Sequence, residues 1–219
     1  MKALRFFVTG TDTGVGKTEV SSALLSSMVG LGLRPFAFKP CESGGTGDSQ
    51  SLWKAAGAWQ SRKSVCLYRF RAPLAPSVAA RAEGKRVNWQ RLLRGFAELG
   101  DGAGVVEGAG GLFVPLDDQH DVIDLIEATK LPVVLVARAG LGTINHTTLS
   151  LEALAQRKIA VAGVVLSQAT RGRELSLATN RPELERRFPR VKFFGPVTFV
   201  PNEDRLRALM SKTLAPLLR

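Results

Sequence analysis

Cysteine is nearly absent from this chain. Two residues in 219, Cys41 and Cys66, form no C-x-x-C pair, which excludes a disulfide framework and a thiolate metal site and leaves two reduced thiols. Cys41 stands two residues from Lys39, a cation that would lower its pKa, but no catalytic thiol is expected. Histidine is equally scarce, and His120 and His146 stand apart, so no histidine metal site is expected. No apolar run approaches the length of a membrane span. The opening residues 1–8 are too short and too interrupted for a signal-peptide core, so the expected compartment is the cytoplasm. Aromatic residues make up only 7%, with no aromatic interleaving of basic residues and no nucleic-acid module. The net charge of +11, from 30 basic and 19 acidic residues, therefore reads as a solvated basic face, scattered in particular through residues 171–192. Neither a nucleic-acid partner nor a membrane is expected, although such a charge favours anionic substrates.

What the chain does have is the composition of a globular protein, 45% hydrophobic and 22% charged, in a length suited to one domain over residues 1–219. Short apolar runs alternate with longer stretches of helical periodicity, the pattern of an α/β fold with a mostly parallel sheet and helices on both faces. Strands are predicted at 4–9, 35–38, 104–106, 133–137 and 160–166, too apolar for a one-faced sheet. Helices are predicted at 16–30, 49–58, 76–84, 88–99, 122–129, 143–156 and 182–188, with a last one at 204–217 broken near Pro216. Residues 41–47 and 168–180 resist regular assignment.

Between the first strand and first helix lies Gly10-Thr11-Asp12-Thr13-Gly14-Val15-Gly16-Lys17-Thr18. A glycine-rich turn lets backbone N–H groups face phosphate oxygens, and the helix that follows presents its positive end to the same anion. Residues 13–18 would hold the nucleotide, with Lys17 neutralising β/γ-phosphate charge and the Thr18 hydroxyl serving Mg²⁺. Five residues, rather than the usual four, separate the first glycine from Gly-Lys-Thr. This is the phosphate loop of a P-loop NTPase fold.

A P-loop needs a carboxylate at the end of a nearby strand. Glu107 ends a buried strand, where ligands of doubly wound sheets gather, and Gly108, Ala109 and Gly110 after it allow close approach to a nucleotide. The bland alternative is a solvated glutamate in a glycine turn. Asp48, after the Ser43-Gly44-Gly45-Thr46-Gly47 stretch, reads equally as a helix cap or as a metal ligand. Lys39 ends the second strand before Pro40, at the same sheet edge, where a lysine can hold an anion or transferring charge.

Taken together, these segments resemble the dethiobiotin synthetases of biotin biosynthesis. The resemblance runs through Phe7 to Lys17-Thr18, Lys39-Pro40 with Ser43-Gly44, Asp48, the 73–84 stretch, Glu107 to Gly111 with Phe113 and Pro115, Leu131-Pro132-Val133, and Leu141-Gly142-Thr143-Ile144-Asn145-His146. It covers most of residues 4–166 and thins afterwards. It implies an ATP-dependent cyclo-ligase. CO₂ adds to 7,8-diaminopelargonate as a carbamate, Mg-ATP phosphorylates the carbamate, and the second amine closes the urea. Lys17 and Lys39 would be catalytic, and Thr18, Asp48 and Glu107 would serve Mg²⁺. Thr13 and Ser43 would contact the diamine or carbamate, and the helix start at Leu141, Gly142 and Asn145 would reach the substrate carboxylate across a homodimer interface.

Two departures stand out. The family commonly carries Asn-Asp where this chain has Ser167-Gln168, the Asn recognising adenine. Gly14 replaces an acidic residue of some relatives. A weaker alignment places the later nucleotide-side segment near Thr198-Phe199-Val200-Pro201. Two rival readings each lack a feature in this chain. A related amide-forming ligase of the cobyrinate type normally carries a glutaminase domain, for which 219 residues leave no room. A MinD-like switch carries an early P-loop lysine, where this chain has Thr11-Asp12.

Overall fold

A computed structural model of the chain describes residues 4–168, 171 and 176–218. In order run β1 (Arg5–Gly10), α1 (Lys17–Gly30), β2 (Phe36–Phe38), β3 (Cys41–Ser43), α2 (Gly47–Ala55), α3 (Arg62–Val65), β4 (Tyr68–Phe70), α4 (Pro76–Ala82) and α5 (Trp89–Ala97). Then follow β5 (Gly104–Glu107), α6 (Val122–Thr129), β6 (Val133–Arg138), α7 (Thr143–Gln156), β7 (Val161–Ser167), α8 (Leu177–Arg187), β8 (Phe193–Val197), α9 (Glu203–Leu214) and a 3₁₀ turn at Ala215–Leu218.

Six strands form a parallel sheet in the order β2-β5-β1-β6-β7-β8. Strand side chains alternate between faces, and two apolar cores result. Phe6 and Val8 of β1 join Val105, Val134 and Val136 on one face, under α1, α2 and α9. Phe7 joins Val106, Val133 and Leu135 on the other, under helices α4 to α8. Leu24, Leu25 and Met28 of α1 are fully buried; truncating any one to Ala costs about 2–5 kcal/mol. Because every strand of this sheet runs the same way, the ends of β1, β5 and β7, and the residue after β2, all reach one edge. That edge carries the site.

The expected α/β architecture is observed, with differences where the local pattern was weakest. Residues 41–47, read as irregular, supply β3 and the start of α2; β3 pairs with β4 in a separate two-stranded parallel sheet. Helix α2 runs from Gly47 to Ala55 rather than over 49–58. Helix α8 begins at Leu177, so Pro182 lies inside it instead of starting it. The short α3 and strand β8 add to the expected list, and the final helix gives way to 3₁₀ geometry at Ala215, next to Pro216. Of the unassigned 168–180 stretch, residues 169–170 and 172–175 lie outside the described residues. Among the described residues no helix is long and apolar enough to cross a membrane.

Candidate active site

The turn after β1 places Gly16 at the N-cap of α1 with φ 96°, a left-handed conformation that favours glycine. A Cβ there would also stand 2.8 Å from the Ser167 hydroxyl at the end of β7. The loop thus closes against the sheet edge, and Val15 turns inward to the core. Lys17 is buried, with its Nζ donating to the Asp12 carbonyl at 2.9 Å. Burial lowers its pKa, and Lys39 adds to that, while Glu107 offsets it only in part.

Below the loop, one cluster brings together residues far apart in sequence. Lys39 is 3% exposed and its Nζ lies 2.6 Å from Glu107 Oε1 and 3.0 Å from Asp48 Oδ2. The Thr18 hydroxyl donates to the same Glu107 oxygen at 3.0 Å. Burial favours the neutral amine of Lys39, but the two carboxylates outweigh it and hold the pKa above the ordinary lysine value. Burial likewise opposes the charge on Asp48, yet the Lys39 ammonium keeps its carboxyl below the usual range. Glu107 is fully buried, so the solvated-glutamate alternative fails. Asp48 does not cap its helix: the N-cap is Thr46, and Asp48 lies in the first turn, facing Lys39.

Among the described residues there is no group of three or more His, Cys, Asp or Glu side chains placed to hold a metal. Mg²⁺ in phosphate sites needs less, one or two carboxylates with waters and phosphate oxygens. Glu107, Asp48 and Thr18 form an oxygen-only donor set of that kind. Glu107 Oε2 is buried and has no hydrogen-bond partner among the described residues. Such a carboxylate oxygen is costly unless a cation or donor reaches it, so the residues fit the ion.

The cluster opens into a cleft of about 740 Å³ lined by Thr13, Gly14, Gly16, Lys17, Thr18, Lys39, Ser43, Asp48, Ala109, Gly110, Ser167 and Gln168. The Ser43 hydroxyl there is buried without a partner among the described residues. Glu107 and Gly108 do not line the cleft but stand directly beneath Lys39, whose Nζ is 3.4 Å from the Gly108 carbonyl. One wall is apolar, made of Phe199, Val200, Pro201, Leu206 and Met210. Leu141, Gly142 and Asn145 are not part of the cleft; all three are exposed, Leu141 at 85%. Their loop is pinned from inside by Asn180, whose Nδ2 donates to the Ala139 and Gly140 carbonyls at 2.8 and 3.1 Å. Cys41 also reaches the cleft, but burial overrides Lys39 and pushes its thiol pKa up, away from nucleophilic use. Glu42, which the sequence reading passed over, is buried and binds the start of α2; no local pattern marks it, because its partners lie across a glycine loop.

Comparison with known proteins agrees with this geometry. A profile described as an AAA domain matches residues 4–208. The ATP-dependent dethiobiotin synthetase BioD of Anaeromyxobacter dehalogenans (strain 2CP-C) is 44% identical over 215 residues, covering 94% of this chain and 95% of that protein. The protein of the same name from Haloferax mediterranei is 41% identical, covering 74% of this chain and 71% of its own. Among solved structures, apo McdA from Cyanthece matches with a TM-score of 0.54 at 11% identity, over 98% of this chain and 99% of that one, a likeness of fold alone. With its phosphate loop, its buried lysine–carboxylate cluster and a relative matched nearly end to end, the chain belongs to the ATP-dependent dethiobiotin synthetase family.

Proposed function

We propose that this protein is a cytoplasmic ATP-dependent dethiobiotin synthetase, and the Thr18–Lys39–Asp48–Glu107 cluster beneath the phosphate loop is the observation that carries the reading. One amine of 7,8-diaminopelargonate adds to CO₂, forming a C–N bond and releasing a proton. The carbamate oxygen takes the γ-phosphoryl group of ATP, releasing ADP. The second amine then attacks the carbonyl carbon, the C–O bond to phosphate breaks, and dethiobiotin, phosphate and a proton leave.

The chain's own groups divide this work. Backbone N–H groups of residues 13–18 and the start of α1 hold the phosphates. Lys17 and Lys39 place two positive charges where negative charge moves between donor and acceptor oxygens, which is most of what phosphoryl transfer asks of a protein. Lys39 holds the carbamate; Thr13 and Ser43 orient the diamine or carbamate. Thr18, Asp48 and Glu107 would hold Mg²⁺, which would supply charge neutralisation to the phosphates. The base would lie toward Ser167, Gln168 and the apolar wall of Phe199 to Pro201, with Ser167 standing where the family commonly carries the adenine-recognising Asn. We therefore expect measurable turnover with at least one nucleoside triphosphate other than ATP; strict dependence on ATP means that other groups, backbone among them, read adenine.

The deciding experiment is mass spectrometry of products after incubation with 7,8-diaminopelargonate, bicarbonate and Mg-ATP. Dethiobiotin with matching phosphate release is the expected result. ATP hydrolysis without a cyclised product reassigns the site to a related amide- or urea-forming ligase.

A further inference from the structure

Helix α2 carries Asp48, yet its N-cap residue Thr46 makes no side-chain cap bond. The first N–H groups of a helix have no partner within it, and a cap side chain normally reaches the second or third. Here those groups belong to Asp48 and Ser49, and both donate to Glu42 Oε1, at 2.8 and 3.1 Å. The Ser49 hydroxyl donates to Glu42 Oε2 at 2.5 Å. Glu42 sits on β3, is 4% exposed, and reaches its partners across the whole Ser43–Gly47 loop. That loop is glycine-rich: Gly44 and Gly45 have φ 81° and 147°, Gly47 follows, and the Gly44 N–H donates to the Phe70 carbonyl at 3.0 Å. A carboxylate at a helix N-terminus is also favoured by the helix dipole.

We infer that Glu42 is a positioning residue that caps α2 from the neighbouring strand and so fixes where Asp48 stands. Its bond is to the backbone N–H of Asp48 itself, so the anchor acts on the residue whose carboxylate faces the cluster. The Asp48 side chain is half exposed and held on the other side by Lys39. When Lys39 turns to substrate, the Glu42 cap still holds the Asp48 backbone. The inference rests on the reading of Asp48 as a group that serves Mg²⁺.

The test is calorimetric binding of the slowly hydrolysed analogue ATPγS to the full chain, at a series of Mg²⁺ concentrations and also in chelator. Glu42→Ala and Glu42→Asp, the latter one methylene too short to span the loop, should each raise the Mg²⁺ needed for tight binding about tenfold or more, as loss of an outer-shell partner does. Affinity in chelator should not change. Glu42→Gln keeps a carbonyl acceptor for both N–H groups and should stay close to wild type. In an Asp48→Asn background, replacing Glu42 should add nothing. If Asp48→Asn shifts the Mg²⁺ series while Glu42→Asp matches wild type, or if Asp and Gln at position 42 behave alike, Glu42 does not position Asp48. If Asp48→Asn itself leaves the series unchanged, the metal reading of Asp48 falls and the inference with it. Should Glu42→Ala fail to fold, the comparison of Asp with Gln still decides.

Discussion

At the scale of single residues, Lys39 has two duties that separate experimentally. Its ammonium neutralises Glu107, which is fully buried. Removing one partner of a buried pair costs about 3–5 kcal/mol because the other charge is left uncompensated. Lys39→Ala should therefore lower the melting temperature of the free protein, recover part of the loss with Mg-ATP, retain most ATP binding by calorimetry, and lose turnover. Near-normal turnover removes Lys39 from the mechanism. Glu107→Gln should flatten the Mg²⁺ dependence of ATP binding, and an unchanged titration counts against its role as a ligand. A pH effect follows from Cys66, whose thiol burial pushes up to about 11 from an ordinary value of 9.0. A raised folded pKa gives stability that is complete below the ordinary value and lost as pH rises through the folded one. Stability should thus decline between about pH 9 and 11, with a share of up to about 3 kcal/mol from this thiol. Denaturant melts of Cys66→Ala across that range should show a shallower decline, with the Cys41 share remaining. The residues of the phosphate loop, with Lys39 and Glu107, were legible in the sequence because their chemistry is written in consecutive positions or at strand ends. The partners of Asp48 were not. Local reading offered a cap, and only the approach of β2 to α2 shows that it faces Lys39.

At the scale of elements, the start of α7 depends on a residue from α8. Asn180→Ala removes two bonds; the Gly140 carbonyl keeps the Thr143 N–H, but the buried Ala139 carbonyl loses its partner, at about 1–3 kcal/mol for a group left unsatisfied. Because the loop before α7 is the expected seat of the substrate carboxylate, steady-state kinetics should show the KM for the diamine rising more than that for ATP. An equal change in both, or none, detaches Asn180 from substrate placement. Helices α6 and α7 occupy the spans their periodicity predicts, since eight and fourteen residues are enough for a helical repeat to show. Two of the three-residue strands are not legible: Cys-Glu-Ser and Tyr-Arg-Phe hold too few turns of a two-residue period and lack the unbroken apolar run that marks Phe36–Phe38. In β8 the Gly195-Pro196 pair reads as a breaker, and in α8 Pro182 reads as a beginning. In each case contacts with distant segments override local preference.

For the whole molecule, the expected homodimer can be tested at the exposed side of α7. Asn145 and Leu149 lie one turn apart on the exposed side of α7, opposite the buried Thr143, Thr147, Leu151 and Leu154, with Leu141 just before the helix. Leu149, 58% exposed, is a position where a charge should part the subunits. Leu149→Glu should shift the mass measured by light scattering toward the monomer and weaken diamine binding while sparing ATP. A monomeric wild type, or a dimer indifferent to the substitution, places the interface elsewhere. The alternation of strands and helices revealed the architecture, but not the strand order, because pairing partners in a parallel sheet are separated by whole crossovers. That order has a consequence for synthesis. β1 is flanked by β5 and β6, and β2 also pairs with β5, so no two of the sheet's strands from the first hundred residues touch each other. At about 5–20 residues per second, Val136 is added roughly 6 to 26 seconds after Val8. Until then the first strand has a neighbour on at most one side, and Phe6, Phe7 and Val8 are exposed to whatever chaperone attends the nascent chain.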